Sequence, residues 1–469
     1  MTSIKQIKVG TSHGETSGVC NAEVNGIAYQ FSVGDEGTLT ITNLAENKSV
    51  SLEISKDNGD LIGFEDLDIH NNTLSLLEEG NREYHNDRLY NFDLEEIVKE
   101  SFDASKDSKL STSLASVTEL SGSQYFPGTT TKTGDGTENN GAEAFAYLNN
   151  GTAVTARQFT IKDGEVSSGK GNKKNMTGND YQDSLELWAN NKYTGHTKFS
   201  LDNDVVRGDI NSMRETDQGN LLMMHGDASI KFDDKKKIWE TTNPYDGQNE
   251  GVLRVQSKED LGETIAYYDL KFQKEGDQFR NAEGIDIQTT NNNSTELTFA
   301  FDNTESKNES KDVVHTIEVG GLNFDNNLNG EKESIRLGSD GVDKIIGSSS
   351  RRSYLAGGDG EDELTANGAT LNQGDVMTGG EGADNFIIKN GNHGIIWDFQ
   401  QDDTLKLDGV KYTYSELAND LNKIINTPGS GTKIGIGGED TNVMQVTGDN
   451  GSTAYIVAQD DQSSGGGLF

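Results

Sequence analysis

The sequence predicts a mainly β protein: an N-terminal β-rich unit with one helix, a central β-sandwich or irregular β-solenoid, and a C-terminal parallel β-roll with a capping helix. Three observations predict it. Val, Ile, Leu, Phe and Tyr recur in short alternating runs between Asn, Asp and Gly turns, which is the period-2 pattern of half-buried strands. Helical periodicity holds in two short windows only, one before residue 104 and one after residue 412. A nine-residue repeat, G-G-x-G-x-D-x-U-x with U large and apolar, occupies the stretch from Gly338 to Ile388.

Residues 1–104 read as one unit. Val24-Asn25-Gly26-Ile27 is an Asn-Gly hairpin signal between apolar alternations, since both turn residues tolerate φ > 0. Strands are expected around Leu39 and Ile41 and around Val50, Leu52 and Ile54. Asp93 to Phe102 reads as a helix: Asp93 caps it, Glu96 completes a capping box, and Leu94, Ile97, Val98 and Phe102 form one face. Residues 105–116 read as a linker and 117–335 as the central β domain, with strand signals such as Leu185 and Leu187, Leu253 and Val255, Tyr268, Leu270 and Phe272, and Leu297, Phe299 and Phe301.

The roll is expected at 336–390 and its cap at 391–469. Gly338-Ser339-Asp340-Gly341-Val342-Asp343, Gly357-Gly358-Asp359-Gly360-Glu361-Asp362 and Gly379-Gly380-Glu381-Gly382-Ala383-Asp384 begin the three well-formed copies, and Ile345, Leu364 and Phe386 fill their U positions. Each position has a physical job. The glycines permit a sharp turn that aims carbonyls inward, and the sixth-position Asp adds a carboxylate. Ca²⁺ takes about six to eight oxygen ligands, more than one loop offers, so stacked loops must share each ion. Degenerate copies lie between the good ones: Gly347 to Leu355, with Arg352 where the Asp belongs, and Thr370 to Thr378, with Asp375. Two repeats per coil place the first, third and fifth loops on one edge. Two calcium sites are therefore expected there, between the loops at Gly338 and Gly357 and between those at Gly357 and Gly379. The opposite edge is expected to be poor or empty, and Asp375 to matter little.

After the repeats, Ile395-Ile396-Trp397-Asp398-Phe399 and Asp402-Asp403-Thr404-Leu405-Lys406-Leu407 precede a second helix signal from Thr413 to Asn426, with a Thr413/Glu416 capping box. The stretch from about Arg336 onward resembles the C-terminal region of RTX proteins, the calcium-binding repeat family. The resemblance implies export by a type I exporter through an uncleaved C-terminal signal, here ending Leu468-Phe469, and calcium-driven folding outside the cell. It implies calcium ligands among Gly338, Asp340, Asp343, Gly357, Gly358, Asp359, Gly360, Asp362, Gly379, Gly380, Glu381, Gly382 and Asp384.

Composition agrees with such a setting. The 469 residues hold 78 Asp and Glu against 40 Lys and Arg, a formal net charge of −38. That charge disfavours nucleic acid and anionic membranes as partners and favours divalent cations. The single cysteine, Cys20, excludes an internal disulfide framework. The N-terminus lacks an apolar signal-peptide core, and no stretch is apolar enough for a membrane span.

Two catalytic motifs are missing: H-E-x-x-H among the seven histidines, and G-x-S-x-G in the strand-turn-helix setting of a lipase elbow. An extracellular structural or adhesive role is therefore expected, through homo-oligomeric assembly or contact with cell-surface polysaccharide. The alternative is a secreted carbohydrate-active enzyme such as a polysaccharide lyase. Arg207, Asp209, Arg214, Glu215 and His225, with Tyr267 and Tyr268, supply the basic, acidic and phenolic groups a lyase would use.

Overall fold

The computed structural model describes residues 4–9, 16–34, 37–56, 62–78, 87–103, 109–120, 142–157, 184–190, 192–198, 208–233, 238–242, 250–272, 282–290, 293–301, 313–325, 332–370, 374–426, 431–436 and 439–458. These residues are mainly β, with two α-helices, Leu94–Asp103 and Tyr414–Asn426.

The N-terminal unit packs two antiparallel sheets around one core. The six-stranded sheet runs Thr16–Val24, Ile27–Gly34, Thr38–Asn43, Lys48–Lys56, Ile4–Val9 and Lys109–Leu110. The four-stranded sheet runs Ala115–Glu119, Arg88–Asp93, Thr73–Glu78 and Asp66–His70. Asn25 and Gly26 turn the first hairpin at φ 54 and 80, the geometry that matches strand twist in a two-residue turn. Phe31, Ile41, Leu52, Phe64 and Leu76 are fully buried with Ile97 of the first helix. Asp93 Oδ1 accepts the Glu96 N–H at 2.9 Å, so the helix starts where its cap residue lies. Within the linker expected at 105–116, Lys109 and Leu110 form a strand that pairs with Lys8 and Ile7. The boundary expected after 116 falls inside the strand Ala115–Glu119.

A four-stranded antiparallel sheet follows, Ala142–Tyr147, Thr152–Arg157, Ser184–Ala189 and Lys192–Lys198. A twelve-stranded sheet then carries the rest of the chain. It opens antiparallel with Gly208–Glu215, Leu221–Asp233, Glu250–Gln256 and Thr264–Phe272. It turns parallel through Lys332–Leu337, Ser353–Asp359, Asp375–Glu381, His393–Ile396 and Thr453–Val457. Glu439–Thr447 and Thr432–Ile436 close it antiparallel, and Ile238–Thr242 pairs beside Leu221–Asp233. Residue 335 is thus no break: the strand spanning it pairs with Thr264–Phe272 on one side and Ser353–Asp359 on the other.

Two smaller sheets sandwich the parallel part. Ala282–Thr289, Ser294–Phe301 and Val313–Gly320 cover one face, burying Phe299, Phe301 and Val319 against Ile335, Tyr354, Val376 and Trp397. On the other face, Lys344–Ile346, Glu363–Thr365, Asn385–Ile388 and Thr404–Leu407 run parallel and Val410–Thr413 closes them. Ile345, Leu364 and Phe386 point from this second sheet into a core with Leu355, Met377 and Ile396. A strand buried on both faces must be apolar on both, and Tyr354-Leu355-Ala356 is. The second helix lays Leu417 and Leu421 on the same core, and its Glu416 accepts the Thr413 N–H at 2.8 Å. Trp397 locks the layers together: its indole donates to Ser294 Oγ at 3.2 Å, in space that a β-carbon on Gly320 would fill, 2.1 Å from Trp397 Cγ.

Candidate metal centre

The three well-formed loops lie on one edge of the roll. Each leaves a strand of the long sheet and enters a strand of the second sheet, so parallel pairing stacks the loops in register, Gly358 beside Gly380 and Asp359 beside Glu381. Gly360 and Gly382 sit at φ +137, a conformation side chains rarely adopt. A β-carbon on Gly360 would come 2.2 Å from Gly341 O, and one on Gly382 would come 1.6 Å from Gly360 O. The glycines thus let the carbonyls of one loop nestle against the next. The leading glycines of the loops make room differently, since a β-carbon on Gly357 would lie 2.1 Å from Asp362 Oδ2 and one on Gly379 2.2 Å from Asp384 Oδ2.

The sixth-position carboxylates form a ladder. The Asp343 N–H donates to Asp362 Oδ1 at 2.8 Å, Asp362 N–H to Asp384 Oδ1 at 2.8 Å, and Asp384 N–H to Asp403 Oδ1 at 2.9 Å. Asp343, Asp362 and Asp384 are buried, whereas Asp340, Asp359 and Glu381 are exposed at the rim. Below the first loop, buried His315 lies 3.5 Å from Asp340 Oδ1, and burial lowers its pKa.

This arrangement fits a hard cation. Asp343 Oδ1 and Asp384 Oδ2 are buried and take no hydrogen bond, which for a carboxylate is costly without a positive partner. Burial pushes the Asp384 carboxyl up to about 7, with Asp403, Asp362 and Asp398 adding to the rise against the Asp362 N–H. Among the described residues no three His, Cys, Asp or Glu side chains converge as a metal set. The donors would therefore be one ladder carboxylate per loop plus loop carbonyls, the oxygen set that suits Ca²⁺.

A fourth loop closes the stack, within the stretch expected as the cap of the roll. Asp398 accepts the N–H groups of Gly379 and Gly380 at 2.8 and 2.9 Å, and Gln400 Nε2 donates to Gly380 O at 2.8 Å. Asp403 takes the last ladder bond and also the Gln400 N–H at 2.6 Å. Side chains thus occupy polar groups of the third loop that a further loop would otherwise meet. The signal was present: Asp398 and Asp403 recur one coil after Asp384 without the glycines.

The opposite edge differs from expectation. The loop from Gly347 is one residue longer, so Ser353, not Arg352, takes the ladder position: Ser353 Oγ accepts the Ser348 N–H at 2.8 Å and Ser353 N–H donates to Asp375 Oδ1 at 2.8 Å. Asp375 is fully buried and accepts the Asn367 N–H at 2.7 Å as well. Burial pushes its carboxyl up to about 6. Asp375 is a staple of this edge rather than a dispensable remnant.

Among the described residues, Arg214, Glu215 and Tyr268 of the basic, acidic and phenolic constellation do not face one another. Arg207 and the Asp209 side chain lie outside the described residues. Arg214 is buried at a junction, pairing with Asp66 at 3.3 Å and Asp286 at 3.5 Å and donating to Val19 O at 2.6 Å. Glu215 points the other way and accepts the Asn149 N–H at 2.8 Å, while Tyr268 is fully buried in the long-sheet core.

No family model and no curated protein matches the chain. Among solved structures, a GH43 endo-arabinanase from Bacillus licheniformis is 10% identical with a TM-score of 0.28, covering 65% of this chain and 97% of that one. A thermostable family-43 glycoside hydrolase is 6% identical with a TM-score of 0.36, covering 66% and 92%. The WD40 repeats of RRP9 are 11% identical with a TM-score of 0.28, covering 66% and 68%. Likeness this slight carries no argument about function.

Proposed function

We propose that this is a secreted calcium-binding RTX protein with an extracellular structural or adhesive role, exported by a type I exporter and folded and assembled by calcium. The observation that supports it most is the buried Asp343–Asp362–Asp384 ladder, in which Asp343 Oδ1 and Asp384 Oδ2 take no hydrogen bond. Calcium supplies the missing positive charge, and its binding free energy becomes folding free energy for the roll. An acidic surface that repels copies of itself then needs screening or bridging to assemble.

Calorimetric titration of the chelated protein tests the first half. Two tight calcium ions per chain are expected on the loop edge, with weaker ones where copies meet; a titration without heat or structural change overturns the reading. Electron microscopy with and without millimolar calcium tests the second half: arrays or filaments are expected, and monodisperse particles in calcium remove the assembly role.

A further inference from the structure

The second sheet of the roll stops at Lys344–Ile346, but the long sheet beneath it continues into Lys332–Leu337, Thr264–Phe272 and Glu250–Gln256. Arg336 pairs in register with Leu355, which packs under the second sheet, so Arg336, Ser334 and Lys332 share that face. Their neighbours Ile335 and Leu337 point to the opposite core. At its far side the face is covered again, where Leu221 and Met223 pack into the core of the four-stranded sheet. Between the two covering layers lies a strip of sheet face.

The strip concentrates positive charge on an acidic protein. Arg254 pairs in register with Tyr267, Tyr267 with Lys332, and Lys271 with Arg336. Arg254 and Lys332 stand over the Tyr267 ring at 5.9 and 5.3 Å. Arg351 adds a further cation, paired with Asp269. Lys271 and Lys332 are exposed, and Tyr267, Arg336 and Arg351 are half-buried. Ser334, on the strand between Lys332 and Arg336, is buried.

We infer that this strip binds an acidic polysaccharide, a chain of carboxylated sugars lying across Lys332, Arg336 and Tyr267. Carboxylates meet the cations, and the Tyr267 ring gives the strip an apolar surface. Lys332 and Arg336 are about 13 Å apart along the strand at about 3.3 Å per residue, so an oligomer can reach both and a single sugar cannot. An extended acidic peptide fits less well. Its main affinity would come from adding a strand to the Lys344–Ile346 edge, where Arg336 already donates to Ile346 O and Lys344 pairs with Glu363. The inference names a ligand for the adhesive role but stands on residues outside the calcium loops.

Calorimetry of the full chain in calcium with a short oligogalacturonate tests it, with neutral dextran oligomers and single-stranded DNA as controls. Salt-sensitive binding is expected for the oligogalacturonate alone. Lys332→Glu with Arg336→Glu should weaken it about tenfold or more, and Lys332→Glu, at an exposed position, about threefold. The calcium-dependent far-UV spectrum of each variant reports that the roll still folds. Undetectable binding, equal binding of dextran, tighter binding of DNA, or affinity unchanged by Lys332→Glu overturns the inference. The last outcome is also what calcium bridging between two acidic surfaces would give.

Discussion

Asp362 holds the middle of the carboxylate ladder, accepting from Asp343 and donating to Asp384. Its loop lies between the other two, so Asp362→Ala should weaken both calcium ions at once, read as lost stoichiometry in titration. Asp375→Ala should act differently. It strands the N–H groups of buried Ser353 and half-buried Asn367, which costs about 1–3 kcal/mol by chemical denaturation while the number of bound calcium ions stays unchanged. Stability unchanged by Asp375→Ala would return that edge to the minor place first assigned to it. The ladder residues were legible because a nine-residue repeat fixes which Asp recurs. Ser353 was not, because one inserted residue shifts the register that the repeat implies. Nor was Arg214, since a buried arginine and a functional one look alike until their carboxylate partners, 148 and 72 residues away in sequence, are brought beside it.

At the scale of elements, chelation should release the second sheet of the roll, from Lys344–Ile346 to Val410–Thr413, before the N-terminal sheets. The second sheet's strands are only three to four residues long and lead directly out of the carboxylate loops. The N-terminal unit has its own core. Hydrogen exchange should therefore show lost protection at Ile345, Leu364 and Phe386 with Phe31 and Leu52 still protected. Uniform loss across both regions would mean that the roll and the N-terminal unit unfold together. Elements with local signals were legible: the Asn25-Gly26 turn and both capping boxes specify their own geometry. Sheet continuity across residue 335 was not, because alternation reports that a strand is half-buried and is silent about which strands flank it.

At the scale of the whole molecule, the N-terminal unit, the long sheet and its covering sheet meet at a buried junction. Arg214 of the long sheet meets Asp66 from the N-terminal unit and Asp286 from the covering sheet, with Asp68 and the Cys20 thiol close enough to act on its charge. Gly18 and Gly284 let these parts approach, since a β-carbon on Gly284 would lie 2.8 Å from Gly18 Cα. Burial raises the Asp66 and Asp286 carboxyls from 3.8 to about 6, against the pull of Arg214, and raises Asp68 too. Groups raised in the folded state stabilise it below their unfolded pKa, and that contribution is lost as pH rises through the folded value. The N-terminal unit should therefore hold more tightly near pH 4 than near pH 7, most of the change falling below about pH 6. Limited proteolysis around residues 16–34 across that range reads it, and release that grows toward acid would contradict it. Arg214→Met leaves three buried carboxylates without their cation and should cost about 3–5 kcal/mol.

The carboxylate ladder also has a direction. Every rung is an N–H of one loop held by an acid that lies later in the chain, ending at Asp403, which is steadied by its own Gln400. A ribosome delivers each loop before the acid that completes its rung: the first waits for the second, the second for the third, and the third for the acid that ends the series. A nascent chain halted anywhere before Asp403 has its newest rung unmade. The roll consequently trails its own synthesis by one loop, and its closing step belongs to a chain on which translation has already passed Asp403.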